Sequence, residues 1–291
     1  MSRFRMAGFL ARLAVALAFL APVAAGAAIT CSIAVTSVST SFNNALGTNS
    51  LTSGAYTISC TRLSNDPNSL TYTLGANNGL HAAGQQNRAQ NAGGTNLNYE
   101  LYRIPTIANG NRWQDNNAAL RFGPSTITFA GASTSTQTIG TFYLNVPTAQ
   151  NPAAGTYTDT VTANLRDSTG VTILNSTTFN VTIDEQAACQ ITSPPGNLNF
   201  TYTSFQNSAA TASSTFAVRC TNGHAYSMGF DASSASLLGL TYTLGLSQTT
   251  ANGTGNSQTF TINGNIASGQ AGTCATATCS GTQTRTLIVT Y

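Results

Sequence analysis

Six cysteines are the residues whose type and spacing most clearly indicate chemistry. They form two widely spaced pairs of nearly equal separation and one close pair: Cys31 and Cys60, Cys189 and Cys220, and Cys274 and Cys279. An even number of cysteines in an exported chain is typical of disulfides, and the matched separations favour pairing within each pair. The close pair also has loosely zinc-like spacing. No histidine or second pair lies nearby in sequence, so we expect no metal.

Side chains that could support catalysis are few and scattered. His81 and His224 lie far apart, and the chain has no G-x-S-x-G, H-E-x-x-H or phosphate-binding glycine loop. Asp66, Asp115 and Asp167 could converge as acids or calcium ligands, but solvated turn aspartates explain them more simply. We therefore predict a protein that is not an enzyme and needs no cofactor.

The N-terminus has the features of a secretory signal peptide. Arg3, Arg5 and Arg12 precede the apolar stretch 13–23, and an A-x-A cleavage pattern follows at 25–27. We expect a signal peptide over 1–27 and export to the periplasm. The formal net charge of +3 is accounted for by these three arginines, so the mature chain is neutral. A neutral chain has little attraction for phosphate backbones, and we expect no nucleic-acid partner.

The positions of those cysteines must be set by β-strands, because no 3.6-residue amphipathic pattern follows the signal. The segment 281–291, GTQTRTLIVTY, alternates like a half-buried strand. Leu287, Val289 and Tyr291 fall on one face, although Ile288 interrupts the polar face. No strand follows this segment in the sequence.

A near copy of this strand lies upstream at 155–165, GTYTDTVTANL. There the chain continues through a turn into a second alternating run, 171–183, with Phe179, Val181 and Ile183 on one face. One half of the chain is therefore predicted to be complete, and the other to lack a strand.

The repeated strands and cysteine spans divide the mature chain in two. We predict one domain over 28–183, a short polar linker at 184–186 and a second domain over 187–291. Short alternating segments separated by turn residues predict an all-β fold of two tandem sandwiches, the second lacking its final strand. The string LTYTLG occurs at 70–75 and 240–245, but the second copy corresponds better to 97–102.

The first domain carries an ordered set of further residues. After its two cysteines come Gly79, Arg88, the string Tyr99-Glu100-Leu101-Tyr102, Trp113 and the strand 155–161. This order resembles the spore coat protein U domain family, whose members include subunits of archaic, Csu-type chaperone-usher pili. The resemblance covers most of the first domain. The second domain is a weaker copy that lacks counterparts of the Arg and Trp.

The resemblance implies an incomplete immunoglobulin-like sandwich. In such a subunit, a periplasmic chaperone and then a neighbouring pilin supply the missing strand, and an outer-membrane usher assembles the fibre. We therefore expect a donor-strand acceptor edge at Leu287, Val289 and Tyr291, and a self-complementing strand at Phe179, Val181 and Ile183. A complete barrel whose last strand pairs with its own first strand is the alternative.

Three residues, 28–30, separate the expected mature start from Cys31, which leaves no donor strand to give to a neighbour. A subunit that only accepts a strand would sit at a fibre end. The resemblance therefore implies a two-domain tip adhesin on the cell surface, acting in adhesion and biofilm formation.

Loops at the far end of the first domain are predicted to bind an abiotic or host surface. Their apolar residues are Leu63, Ile104, Pro105, Ile107, Trp113 and Leu120. Trp113 and Leu120 could instead fill the core. Two other classes of function remain open: a self-contained extracellular coat protein, and a carbohydrate-binding lectin.

Overall fold

The computed structural model describes residues 29–44, 47, 49–131 and 135–291. The predicted signal peptide, 1–27, lies outside the described residues. The described chain is built from strands, which are β1 (Thr30–Val35), β2 (Val38–Phe42), β3 (Ser50–Thr61), β4 (Ser69–Ala76), β5 (Asn87–Gln90), β6 (Asn96–Tyr102), β7 (Phe122–Thr128), β8 (Ser135–Val146), β9 (Gly155–Asp167), β10 (Ile173–Glu185), β11 (Cys189–Ser193), β12 (Ala210–Cys220), β13 (Ala225–Phe230), β14 (Ser234–Leu237), β15 (Leu240–Leu246), β16 (Thr250–Asn252), β17 (Ser257–Ile266) and β18 (Leu287–Thr290).

In the part of the chain that the structure describes, helical structure is limited to short turns. Two 3-10 helices, Asn109–Asn111 and Ala118–Leu120, lie in the connection between β6 and β7. Within the described ranges, no helix is long and apolar enough to cross a membrane. The predicted all-β fold is confirmed.

The first ten strands enclose one apolar core. Their order is β1-β3-β8-β6-β5-β9-β10-β2, with β4 joined to β9 and β7. The side chains of β9 point alternately into the core and away from it. Tyr157, Val161 and Leu165 are fully buried, whereas the intervening threonines are not. A strand with one apolar face buries that face against another sheet. We call the cluster of buried apolar residues between these ten strands the first core.

The remaining strands form two sheets around a smaller core. Their orders are β11-β12-β17-β15-β14 and β16-β13-β18. Phe216, Val218, Tyr226, Met228 and Phe260 are among the buried residues between the sheets. We call this cluster the second core.

The two sets of strands repeat each other in order. The sheet β11-β12-β17-β15-β14 follows the same path as β1-β3-β8-β6-β5, and β16-β13-β18 follows β7-β4-β9. In the first set, β10 and β2 continue beyond β9; in the second, no described strand continues beyond β18. This path also confirms that the LTYTLG of β15 corresponds to β6 and not to the identical string in β4.

The disulfides join the first strands of each set. Cys31 bonds to Cys60 and ties β1 to β3, and Cys189 bonds to Cys220 and ties β11 to β12. The third disulfide, Cys274–Cys279, lies in the connection between β17 and β18. The favoured pairings are all present.

Candidate functional site

Strand β10 fills the edge of the first core. It pairs antiparallel with β9 on one side, where Phe179 lies opposite Val161, and parallel with β2 on the other. The side chains of Phe179, Val181 and Ile183 are buried. The chain therefore supplies this part of the first core from its own sequence.

Trp113 is buried and cannot contact a surface. Its Nε1 donates a hydrogen bond of 3.0 Å to the Leu74 carbonyl, and its ring packs 5.0 Å from Phe142, between centroids. The prediction that Trp113 lines a binding loop is wrong, because a large ring whose single polar group has a buried partner is stabilised by burial. The core alternative is correct.

Strand β18 is an edge strand, and no other described strand pairs with its outer side. It pairs with β13, with Phe230 opposite Leu287 and Ser227 opposite Thr290. Leu287 and Val289 are half-buried against the second core, whereas Ile288 points outwards. Tyr291 is 59% exposed. We call Leu287, Val289 and Tyr291 the acceptor edge.

Strand β18, which carries Leu287 and Val289 of the acceptor edge, is much shorter than its copy in the first set. β9 has 13 residues and β18 has 4. The first residues of β9 are held by β10, with Gly155 opposite Glu185 and Tyr157 opposite Ile183. The matching residues, 281–286, belong to no strand. In the first set these residues of β9 pair with β10, whereas 281–286 pair with no described strand.

A second open edge flanks the same core. The segment 197–203 lies between β11 and β12, the place that β2 occupies between β1 and β3. Leu198, Phe200 and Tyr202 are half-buried and alternate with exposed residues, but the segment forms no ladder with any described strand. The Phe200 ring lies against Gly264 of β17, where an added methyl group would be only 2.4 Å away. We call 197–203 the open segment.

Three connections lie at the end of the first core farthest from the linker: 62–68, 103–121 and 168–172. Tyr72, midway along β4, lies opposite Asp167, the last residue of β9, so the start of β4 extends beyond that end of β9. Glu185, the last residue of β10 and part of the predicted linker 184–186, lies opposite Gly155 at the other end of β9. We call these three connections the outer loops.

The outer loops expose several apolar side chains. Leu63 is 58% exposed, and Ile104 and Ile107 are each 46% exposed; Pro105 is also exposed, and Leu120 is half-buried. Val171 and Ile173 both fall within the predicted strand 171–183 and are exposed: Val171 lies in the adjacent turn, and Ile173 is the first residue of β10, opposite Arg166. Because the residues that follow alternate regularly, the sequence pattern does not indicate that these two side chains are exposed.

An arginine network links two of the outer loops, 103–121 and 168–172, to each other and to β9. Arg121 Nη1 donates to the Gly170 carbonyl at 2.9 Å, and Arg103 Nη1 donates to the Arg121 carbonyl at 2.8 Å. Arg166 forms a two-pronged ion pair with Asp115, at 2.7 and 2.6 Å. Burial alone would raise the pKa of Asp115, but hydrogen bonds from Arg166 and Asn164 outweigh it and leave that pKa below its usual value.

The three aspartates considered as ligands serve local structure. Asp66 accepts from the Leu63 backbone N–H, and Asp167 accepts from the Thr169 hydroxyl. Asp115 is occupied by the arginines. Among the described residues, no group of three or more His, Cys, Asp or Glu side chains could hold a metal ion.

Comparison with protein-family models identifies a family that matches most of the chain. The family model of the Spore Coat Protein U domain matches residues 17–164 and 175–248, more than half of the chain. No match is found among curated proteins.

Solved structures give weaker similarities. A chain of a chaperone–tip adhesin complex of CFA/I fimbriae is 12% identical, covering 87% of this chain and 95% of that chain, with a TM-score of 0.29. The CssB subunit of enterotoxigenic Escherichia coli CS6, complemented with a donor strand from CssA, is 15% identical over 53% of this chain and 97% of that one, with a TM-score of 0.29. Self-complemented MyfA of Yersinia enterocolitica fimbriae is 13% identical over 53% and 99%, with a TM-score of 0.27.

Proposed function

Because this chain belongs to the Spore Coat Protein U domain family, we propose that it is a non-catalytic pilus subunit that accepts a donor strand from a neighbouring subunit. One observation carries the proposal. The second core repeats the first strand by strand, except that no described strand takes the place of β10 or of β2.

Strand β10 is the template for the missing strand. A donor that ran antiparallel to β18 would pair with the free side of 281–290 and lie beside the open segment, as β10 lies between β9 and β2. It would satisfy the unpaired edge and bury Leu287 and Val289 more fully. Main-chain pairing gives such a strand its affinity, and alternate apolar side chains give it specificity.

An open edge of this kind is an aggregation hazard before assembly. We infer that a periplasmic chaperone covers the acceptor edge after export and that an outer-membrane usher exchanges the chaperone for the neighbouring pilin. The subunit then resides in the pilus at the cell surface.

The first domain, 28–183, is the proposed adhesive head, joined through 184–186 to the acceptor domain, 187–291. Its edge is closed by β10, so its core requires no donor. The outer loops present exposed Leu63, Ile104 and Ile107, which would adhere to an apolar abiotic or host surface and promote biofilm formation. A position at the pilus tip follows from this division of roles.

A synthetic peptide of this chain's own Ser176–Glu185 segment tests strand acceptance. We expect the mature full-length chain to bind it, and Val289→Asn to weaken binding by about tenfold, since burying a polar group against the core costs roughly 1–3 kcal/mol. Ile288→Asn is the matched control, because Ile288 points away from the core. Failure to bind, or equal effects of the two variants, would favour the self-contained coat protein instead.

A further inference from the structure

The orientation of a donor strand decides where its subunit would lie. β10 runs antiparallel to β9 and ends at Glu185, opposite Gly155. A donor with the same orientation on 281–291 would end beside Gly281, the counterpart of Gly155. If the donor is an N-terminal extension, the folded body of its subunit follows at that end. This placement of the neighbouring subunit rests on the proposed function.

That end of the second core carries two exposed apolar side chains. Phe205 is 69% exposed and Leu238 is 37% exposed. The Phe205 N–H donates to the Gln270 carbonyl and the Thr273 N–H donates to the Leu238 carbonyl, both at 2.8 Å. The chain between β17 and β18, which carries the disulfide Cys274–Cys279, therefore bridges them. We call Phe205, Leu238 and 267–281 the base face.

The base face adjoins the stretch 281–290 that the donor would pair with, which we call the acceptor groove. A methyl group added at Gly281 would lie 3.3 Å from the Leu238 side chain. Gly281 also begins the unpaired stretch that the donor would cover. A subunit whose strand leaves the groove at this point must therefore pass next to Leu238.

Both apolar residues occupy backbone conformations that their types disfavour. Phe205 has φ of 61° and Leu238 has φ of 51°. Leu238 and Gly239, at φ 72°, form the two-residue turn between β14 and β15, where Asn-Gly is the preferred pair. Bulky side chains at positive φ are strained, and such strain is often associated with function. Local structure alone would favour asparagine at both positions.

The base face is uncharged. The segments 197–210 and 232–284 contain no Asp, Glu, Lys or Arg, and the flanking Arg285 is paired with Asp231. A partner is therefore recognised by apolar contact and neutral hydrogen bonds, which salt screens little.

We propose that the base face is a second contact of the assembled fibre and binds the folded body of the subunit whose strand fills the groove. The strand supplies one attachment and the base face fixes the angle of the next subunit. Because the two contacts are joined by a short path, each raises the effective concentration of the other.

The test uses two probes and the mature full-length chain. One probe is the pilin of the same organism that carries an N-terminal donor extension, produced whole; the other is a synthetic peptide of that extension. The variants are Phe205→Asn and Leu238→Asn, which suit the left-handed backbone and should preserve folding. Ile191→Asn is the control, since Ile191 is 39% exposed on the edge strand β11.

We expect each base-face variant to bind the whole subunit at least about tenfold more weakly, with affinity for the peptide unchanged. Equal losses for both probes, or no loss for either, would overturn the proposal. If the variants instead abolish self-association of the chain while the subunit still binds, the face belongs to a second copy and the proposal is wrong. A wild-type chain that binds neither probe would overturn the proposed function, and this inference with it.

Discussion

The indole ring of Trp113 stacks on the ring of Phe179, with centroids 6.0 Å apart and planes 11° from parallel. Trp113 belongs to the outer loop 103–121, and Phe179 belongs to β10. The contact links the strand that closes the first core to the loop that carries Ile104 and Ile107. Order in the proposed adhesive loop should therefore depend on β10.

Phe179→Ala tests that link. Removing a buried aromatic ring costs about 3–5 kcal/mol, and we expect a corresponding loss in the urea-unfolding free energy of the first domain. Thr178→Ala is the control, because Thr178 is exposed on the opposite face of the same strand. Equal stability of the two variants would contradict the role assigned to β10.

Asp115→Asn tests the arginine network. The variant keeps the side-chain shape but loses its charge-assisted bonds, each worth roughly 1.5–3 kcal/mol, so the outer loops should become more susceptible to proteolysis. Because the pKa of Asp115 is lowered in the folded protein, its contribution to stability is present above its ordinary value of 3.8 and is lost as pH falls through the folded pKa. The variant should lack this acid-dependent loss.

Asp184→Asn is the control for the network. Asp184 accepts one hydrogen bond, from the Thr156 hydroxyl, and contacts none of the outer loops. If it sensitises those loops to proteolysis as strongly as Asp115→Asn does, the network does not hold them together.

Two buried glutamates predict the opposite pH dependence near neutrality. Burial raises the pKa of Glu100 to about 7 despite Arg112, and burial raises that of Glu185 to about 7 although Asn44 donates to it. A raised pKa favours the protonated form in the folded state. The stability that each provides is full below 4.5 and is lost as pH rises through about 7.

We therefore expect the melting temperature of the first domain to be higher at pH 5 than at pH 8. Glu100→Gln and Glu185→Gln, which imitate the protonated side chains, should each flatten this dependence. A melting temperature that rises with pH over the same interval would show that these carboxyl groups are not the dominant titrating sites.

The adhesive role is tested by Ile104→Ser and Ile107→Ser in the outer loops. Each should reduce retention of the mature chain on hydrophobic beads without changing its melting temperature, because both side chains are already solvent-exposed. Leu51→Ser is the matched control: Leu51 is 45% exposed but lies on β3 opposite Asn145, near the linker end. If all three variants behave alike, the outer loops have no special role in adhesion.

Much of the fold could be predicted from local patterns. The long strands β8, β9 and β10 alternate over many residues, and the cysteine spacings mark matching strands. Short strands such as β2 and β5 were missed, since four or five residues carry too little periodicity and β2 depends on pairing with the distant β10.

One predicted strand is informative because it has no ladder. The alternation near Leu198 predicts a strand over 198–201, yet those residues remain unpaired in the open segment. Sequence pattern reports which face is apolar, whereas a ladder also requires a partner. Trp113 was misassigned for a related reason: its loop position is visible in the sequence, but its hydrogen bond to Leu74 is not. The sequence pattern does not indicate that Phe205 and Leu238 are unusual, because their positive φ angles are visible only in the structure.

Amide hydrogen exchange of the mature chain, with and without the Ser176–Glu185 peptide, tests the central claim most directly. In the chain alone we expect rapid exchange over 281–286 and 197–203 and strong protection along β10. Adding the peptide should protect 281–290 and the open segment and leave β10 unchanged. Strong protection of 281–286 without any partner, or no change when the peptide is added, would contradict strand acceptance at β18.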